Sequence, residues 1–235
     1  MERSINQIIV ITTFFALGAT GMAQSGKPVP AFQVGGVTIK IPTPHRDLVN
    51  VPKKDSAVLD VFVPDQNLMI TSYVKPSDLK LIRAKDESLQ MDHYAMVQIS
   101  RRVEKRDISS AQFRQVASVM ENQFGSILKK AKGETENQIN KRFKALELEG
   151  KVDIGKPLPV GGFFSKPDAY GFGMLIPVNV DGKSLGRMAM GGAIVRVNKR
   201  LINCYLYRDY KGSKTIVTLR KEAEDWIDAV LKANR

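Results

Sequence analysis

A chain of 235 residues with 36 lysines and arginines against 24 aspartates and glutamates, a formal charge of +12, is long enough for one domain with a proper core and is markedly basic. Its single cysteine, Cys204, excludes a disulfide framework, so stability must come from packing. Its two histidines, His45 and His93, have no cysteine partners and read as isolated surface or turn side chains rather than a zinc site.

The chain opens with a short polar start containing Arg3, an apolar run from Ile8 to Ala19, and the small-x-small step Gly21-Met22-Ala23. That order reads as a secretory signal peptide over residues 1–23, its apolar run short for a bilayer span, with cleavage expected after Ala23; the alternative, which Glu2 in the polar start keeps open, is an uncleaved N-terminal anchor. No cysteine follows the apolar run, which excludes a lipobox, and no later stretch is long and apolar enough to cross a membrane. The expected address is therefore the periplasm or exterior of a bacterium. Removing 1–23 takes away one glutamate and one arginine, so the basic charge belongs to the mature domain. Residues 24–31 read as a flexible lead, and 32–235 as one α+β domain without an internal linker or repeat.

In chain order, residues 32–34 and 37–41 flank Gly35-Gly36 and predict a hairpin, because a tight turn needs two positive-φ positions. Residues 58–63 and 68–74 read as strands around the turn Pro64-Asp65-Gln66-Asn67. Lys75 to Gln90 reads as a loop, and Tyr94 to Val103 as a strand with Ala95, Val97 and Ile99 on one side. Ser109 and Gln112 form a capping box with the staple Ile108 and Phe113, which predicts a helix to about Lys130. A weaker helical run carries Ile139, Phe143 and Leu146. Strands are expected at 151–157, 160–165, 169–180, 185–197 and 201–208, joined by turns such as Asp181-Gly182 and Asn198-Lys199. Short connections make the sheet antiparallel. Alternation in the last strand places Cys204 in the core with Ile202 and Leu206. Ser213 is positioned to cap a final helix whose stripe of Ile216, Leu219, Ala223, Trp226, Ile227, Val230 and Leu231 must bury against the sheet.

This element order, closing on the helix Trp226-Ile227-Asp228-Ala229-Val230-Leu231, resembles the PsbP-like fold, which includes the DcrB-like envelope proteins. The resemblance implies an α/β/α sandwich and an accessory or binding role without catalysis. It transfers no functional residue.

The motifs that carry chemistry are absent or incomplete. Gly182-Lys183-Ser184 lacks the preceding glycine of a phosphate loop, since Pro177 stands there, and Gly161-Gly162 and Gly171-Phe172-Gly173 mark close strand packing. No Gly-x-Ser-x-Gly elbow marks a hydrolase, and no cofactor or metal site is expected. Positive charge is the feature that remains. Residues 183–214 hold Lys183, Arg187, Arg196, Lys199, Arg200, Arg208, Lys211 and Lys214 against Asp209 alone, and Arg101, Arg102, Lys105 and Arg106 add to it. If the strands gather them, Arg187, Arg196, Lys199, Arg200, Arg208 and Lys211 form an anion- or partner-binding face. An envelope protein or an anionic lipid or glycan surface fits an exported chain; nucleic acid fits poorly, with no binding motif and an address outside the cytoplasm. Two other functions are open: an apolar-ligand carrier with a pocket lined by Phe163, Phe164, Tyr170, Phe172 and Met174, and a hydrolase with a dispersed site.

Overall fold

The structure is a computed structural model that describes residues 28–86, 88–123, 140–141, 152–180 and 183–235. The expected signal segment, the far end of the helix expected over 109–130, most of the expected helical run around 139–146 and the expected Asp181-Gly182 turn lie outside these residues. Among the described residues, no helix is long and apolar enough to cross a membrane.

Among the described residues ten strands form: β1 (Ala31–Val34), β2 (Val37–Lys40), β3 (Val49–Asn50), β4 (Asn67–Val74), β5 (His93–Ser100), β6 (Val152–Ile154), β7 (Leu158–Lys166), β8 (Ala169–Val180), β9 (Lys183–Val197) and β10 (Arg200–Asp209). The helices are α1 (Ala57–Asp60), α2 (Pro76–Ala84), α3, described over 110–123, and α4 (Ser213–Ala233). β1 and β2 pair as a separate hairpin whose turn, Gly35-Gly36, takes φ of 54° and 85°. The other eight strands make one antiparallel sheet in the order β3-β4-β5-β10-β9-β8-β6. β6 and β7 share the outer edge of β8, so the eight strands fill seven positions.

Alternation along the strands builds two separate cores. On one face, Ala95, Val97 and Ile99 of β5, Ala193 and Val195 of β9, and Ile202, Cys204 and Leu206 of β10 pack beneath α4 and the β1–β2 hairpin. Cys204 is 1% exposed and unpaired, as the alternation predicts. On the other face, Tyr170, Phe172, Met190 and Ile194 pack against Phe113 and Val116 of α3, while Val74 packs with Leu59, Leu79 and Ile82 of α1 and α2. The domain is thus α+β, an antiparallel sheet with helices on both faces. Glycines set the layer spacing. A Cβ on Gly191 would stand 3.3 Å from both Ala223 and Leu219, and one on Gly192 would stand 2.5 Å from the Phe172 ring.

Two segments depart from the sequence reading. Residues 58–63 form the α1 turn and its exit, not a strand: Asp60 N–H bonds Ser56 O at 2.9 Å and Val63 N–H bonds Asp60 O at 3.1 Å. A six-residue apolar run closed by Pro64 buries Leu59, Val61 and Val63 equally well as a turn of helix, and periodicity cannot separate the two at that length. Residues 76–84, expected to be loop, form α2. Pro76 occupies the first turn, where a missing N–H costs nothing, Leu79 and Ile82 supply the buried side, and Lys85 closes the helix in the left-handed region.

The hairpin, α4 and the sheet meet at Trp226, which is 3% exposed. Its Nε1–H donates to Pro42 O at 2.8 Å, and its ring meets Tyr73 edge-on with centroids 6.3 Å apart. Tyr73 donates in turn to Ile41 O at 2.9 Å. Asn234, just beyond α4, exchanges two further hydrogen bonds with the backbone of Lys40. Trp226→Ala is expected to cost about 3–5 kcal/mol, as for other buried large aromatics. Denaturant melts that show a loss under about 1 kcal/mol would mean that α4 is not seated in this way.

Candidate functional site

The six cations singled out in the sequence do not share one surface. β9 and β10 form a long hairpin, and the residues divide between its two ends. Arg196, Lys199 and Arg200 sit at the Asn198-Lys199 turn, whereas Arg208, Lys211 and Arg187 sit at the open end, where Tyr210 N–H bonds Arg187 O at 2.8 Å. Arg200 and Arg208 are eight strand steps apart on β10, roughly 26 Å at ~3.3 Å per residue. That exceeds the ~8 Å Debye length of physiological salt severalfold, so the ends act as independent electrostatic surfaces.

At the turn end most of these cations are already engaged. Arg200, with its side chain 7% exposed, donates to Asp107 at 2.6 Å and to Gly35 O at 2.9 Å, tying the hairpin turn to β1–β2. Arg196 holds Asp168 at 2.7 Å, and Lys199 reaches Asp107 at 3.3 Å. Hydrogen bonds from Arg200 and then Lys199 hold the Asp107 carboxyl below the usual aspartate range. The exposed Arg101, Arg102, Lys105 and Arg106 belong to this end too, since Ile108 N–H bonds Lys199 O at 2.8 Å.

The open end is concave. A cleft of about 310 Å³ lies between the ends of β4, β5 and β10 and the start of α4, lined by Lys75, Arg208, Lys211 and Lys214 and by Asp47, Asp92, Asp209, His93, Thr215 and Thr218. Lys75 pairs with Asp92 at 2.5 Å, and Arg208 is held by both oxygens of Glu222 at 2.7 Å. Among the described residues, Lys211 and Lys214 have no carboxylate partner. The start of α4 differs from the expected cap. Ser213 is the first helical residue, Gly212 stands at the N-cap with no side-chain hydrogen bond, and the first turn carries no acidic residue. Thr215 Oγ1 instead accepts from Lys211 N–H at 3.1 Å. Lysines at an uncapped helix N-terminus oppose the macrodipole, which leaves a locally positive mouth.

Beside this mouth the two histidines meet. His93, at the start of β5, lies directly across from Arg208 and on the same face. His45 comes from the loop before β3; the two ring centroids are 5.4 Å apart. Asp47 lies between them, with one carboxylate oxygen against His45 Nδ1 and the other 3.2 Å from His93 Nδ1. Because a carboxylate only accepts, both rings present N–H at Nδ1 to it. His45 Nε2 also faces Glu222 at 3.7 Å. The His93 side chain is 2% exposed and its Nε2 has no hydrogen-bond partner. Burial and then the Arg208 charge lower the His93 pKa against the pull of Asp47. Burial acts to raise the Asp47 pKa, but its bonds with the two histidines bring it below the ordinary value. His45, Asp47 and His93 offer donor atoms within 4.8 Å of one another and could hold a metal ion. The expectation of two isolated surface or turn histidines is therefore corrected in that the two meet and His93 is a buried strand residue; His45 does lie in a partly exposed bend. The strand phase pointed to part of this, since His93 is in step with Ala95, Val97 and Ile99; nothing local marks His45 as its partner.

The apolar residues proposed as a carrier pocket divide as well. Phe163 and Phe164 pack on the α4 face, and Tyr170, Phe172 and Met174 on the α3 face, so the sheet itself separates the two groups.

Neither a protein-family model nor a curated protein sequence matches the chain. Among solved structures it resembles cyanobacterial PsbP (CyanoP) from Synechocystis sp. PCC 6803, with 10% identity, a TM-score of 0.36, and 88% of this chain and 95% of that one covered. It also resembles the Ran-binding protein Mog1p of Saccharomyces cerevisiae, with 10% identity, a TM-score of 0.29, and 88% and 93% covered. Both are likenesses of fold at low superposition, and neither bears on what the chain binds.

The Asp107–Arg200 pair makes a pH prediction. A carboxyl whose folded pKa is lowered contributes stability that is present above its unfolded pKa, near about 4, and is lost as pH falls through the folded value. Asp107→Asn is therefore expected to lower the denaturant midpoint at neutral pH, with the gap from the native protein closing below about pH 4. A gap that stays constant into that acid range would show that the Asp107 charge is not what Arg200 depends on.

Proposed function

We propose that the chain is a non-catalytic binding module of the bacterial cell envelope or exterior, and that it recognises an acidic group, carboxylate or phosphate, on an envelope component or partner protein. The observation that carries this reading is the mouth at the start of α4. An uncapped helix N-terminus, two lysines without carboxylate partners and two threonine hydroxyls face one cleft. Backbone N–H groups at a helix start bind anions directly, and the helix dipole adds to the lysine charges. An acidic ligand there relieves the repulsion between Lys214 and the helix end. The leader-like residues 1–23 support an exported address, and the basic composition supports attraction to anionic surfaces. The turn end, with Arg101, Arg102, Lys105 and Arg106, presents exposed charge on loops and turns; its role is to steer an acidic partner at long range.

The test compares Lys211→Glu/Lys214→Glu with Arg102→Glu/Lys105→Glu in pull-downs from the host envelope, each variant first shown to be folded. Capture is expected to fall sharply for the first variant and only modestly for the second, and to weaken for the native protein between about 0.1 M and 1 M salt. Equal recovery of the same partner by the native protein and the α4 variant at both salt levels would overturn the reading. Loss confined to the turn-end variant would move the binding surface there.

A further inference from the structure

We propose that His45, Asp47 and His93 form a binding site for a first-row divalent metal ion, with zinc as the reference ion. The site adjoins the cleft of the anion reading, whose lining includes Asp47 and His93, but its ligands come from the loop before β3 and from the start of β5, so Lys211 and Lys214 are not among them.

The chain has two histidines, 48 residues apart in sequence, and the fold brings both to the same carboxylate. Hydrogen bonding with Asp47 alone would need one imidazole. Two imidazole nitrogens and one carboxylate oxygen are a donor set that suits zinc, cobalt, nickel or copper and not magnesium or calcium, which take oxygen ligands. Ligands on a tetrahedral zinc stand roughly 3.4 Å apart, from metal–ligand distances of about 2.0–2.2 Å. The three donors already lie within 4.8 Å of one another. His93 is the buried member, held in β5 with its ring 2% exposed, and His45 and Asp47 are 30% and 41% exposed. Their exposure leaves coordination positions open on the cleft side, the pattern of a site with three protein ligands.

The charges around the three ligands admit a cation. Arg208, opposite His93, would repel one, but Glu222 holds that guanidinium with both oxygens and also faces His45. Lys75 is likewise matched by Asp92. Once these pairs cancel, Asp47 and Asp209 stand against Lys211 and Lys214 in the cleft, and Asp47 is the carboxylate that meets both rings. Asp47 meets both rings at Nδ1, so an ion held among the three takes the place of the two Nδ1 protons, which leave to solvent.

The experiment is calorimetric titration of tag-free protein with zinc chloride, in parallel with cobalt(II) titration followed by visible absorption. The native chain is expected to bind one equivalent of zinc and to give a cobalt ligand-field spectrum. His45→Ala and Asp47→Asn, both at partly exposed positions and each first shown to be folded, should each weaken zinc at least about tenfold and abolish that spectrum. Lys211→Glu/Lys214→Glu should leave zinc stoichiometry unchanged, which separates this site from the anion cleft. Absence of zinc binding at about 1 mM free metal would overturn the proposal. So would binding of the same stoichiometry and affinity in His45→Ala and Asp47→Asn.

Discussion

The arrangement depends on α4 lying flat across β8, β9 and β10. Its buried stripe of Leu219, Ala223, Trp226, Ile227 and Val230 contributes roughly 1.5–3 kcal/mol for each fully buried large aliphatic side chain. That burial is possible because glycine at 191 lets the helix approach the sheet. Since the helix is 21 residues long, seating it fixes two distant places at once. Its C-terminus locks the β1–β2 hairpin through Asn234 and Lys40. Near its middle, Glu222 meets Arg208 and His45, and its first turn brings Lys214 to the cleft. A change in helix register would disturb both.

The net charge of +12 describes the whole molecule better than any one surface. Several cations that stand out in the sequence are structural: Arg200 clamps two hairpins together, Arg196 pins Asp168, and Arg208, across from His93, is held by a helix glutamate. Arginine suits these positions because its planar fork satisfies two acceptors while remaining charged. Counting cations along a sequence cannot separate these clamps from free charge, because their partners, Asp107, Asp168 and Glu222, lie between 14 and 93 residues away.

Periodicity made most of the sheet legible before any coordinates. The long strands β8, β9 and β10, the capped start of α3 and the stripe of α4 followed from alternation and from 3.6-residue spacing, and the same alternation placed Cys204 inside. Short elements were not legible. Residues 58–63 carry an apolar run that fits either period, and α2 hid in a polar segment where Pro76 and the Leu79–Ile82 spacing were the usable signs. Of the histidine cluster only the strand phase of His93 was legible. Its members come from the loop before β3 and the start of β5, strands that β4 joins in the sheet, so the contact is a product of topology.

The position of Cys204 has a consequence for how the domain can be watched. Its strand is flanked on both sides, with Val97 across on β5 and Ala193 across on β9, and burial pushes the thiol pKa up, so the folded form offers neither access nor thiolate. A thiol reagent can react only after β10 has left the middle of the sheet. The labelling rate of this one atom is therefore a clock for opening of the whole domain, built into the chain and silent toward fraying of its edges.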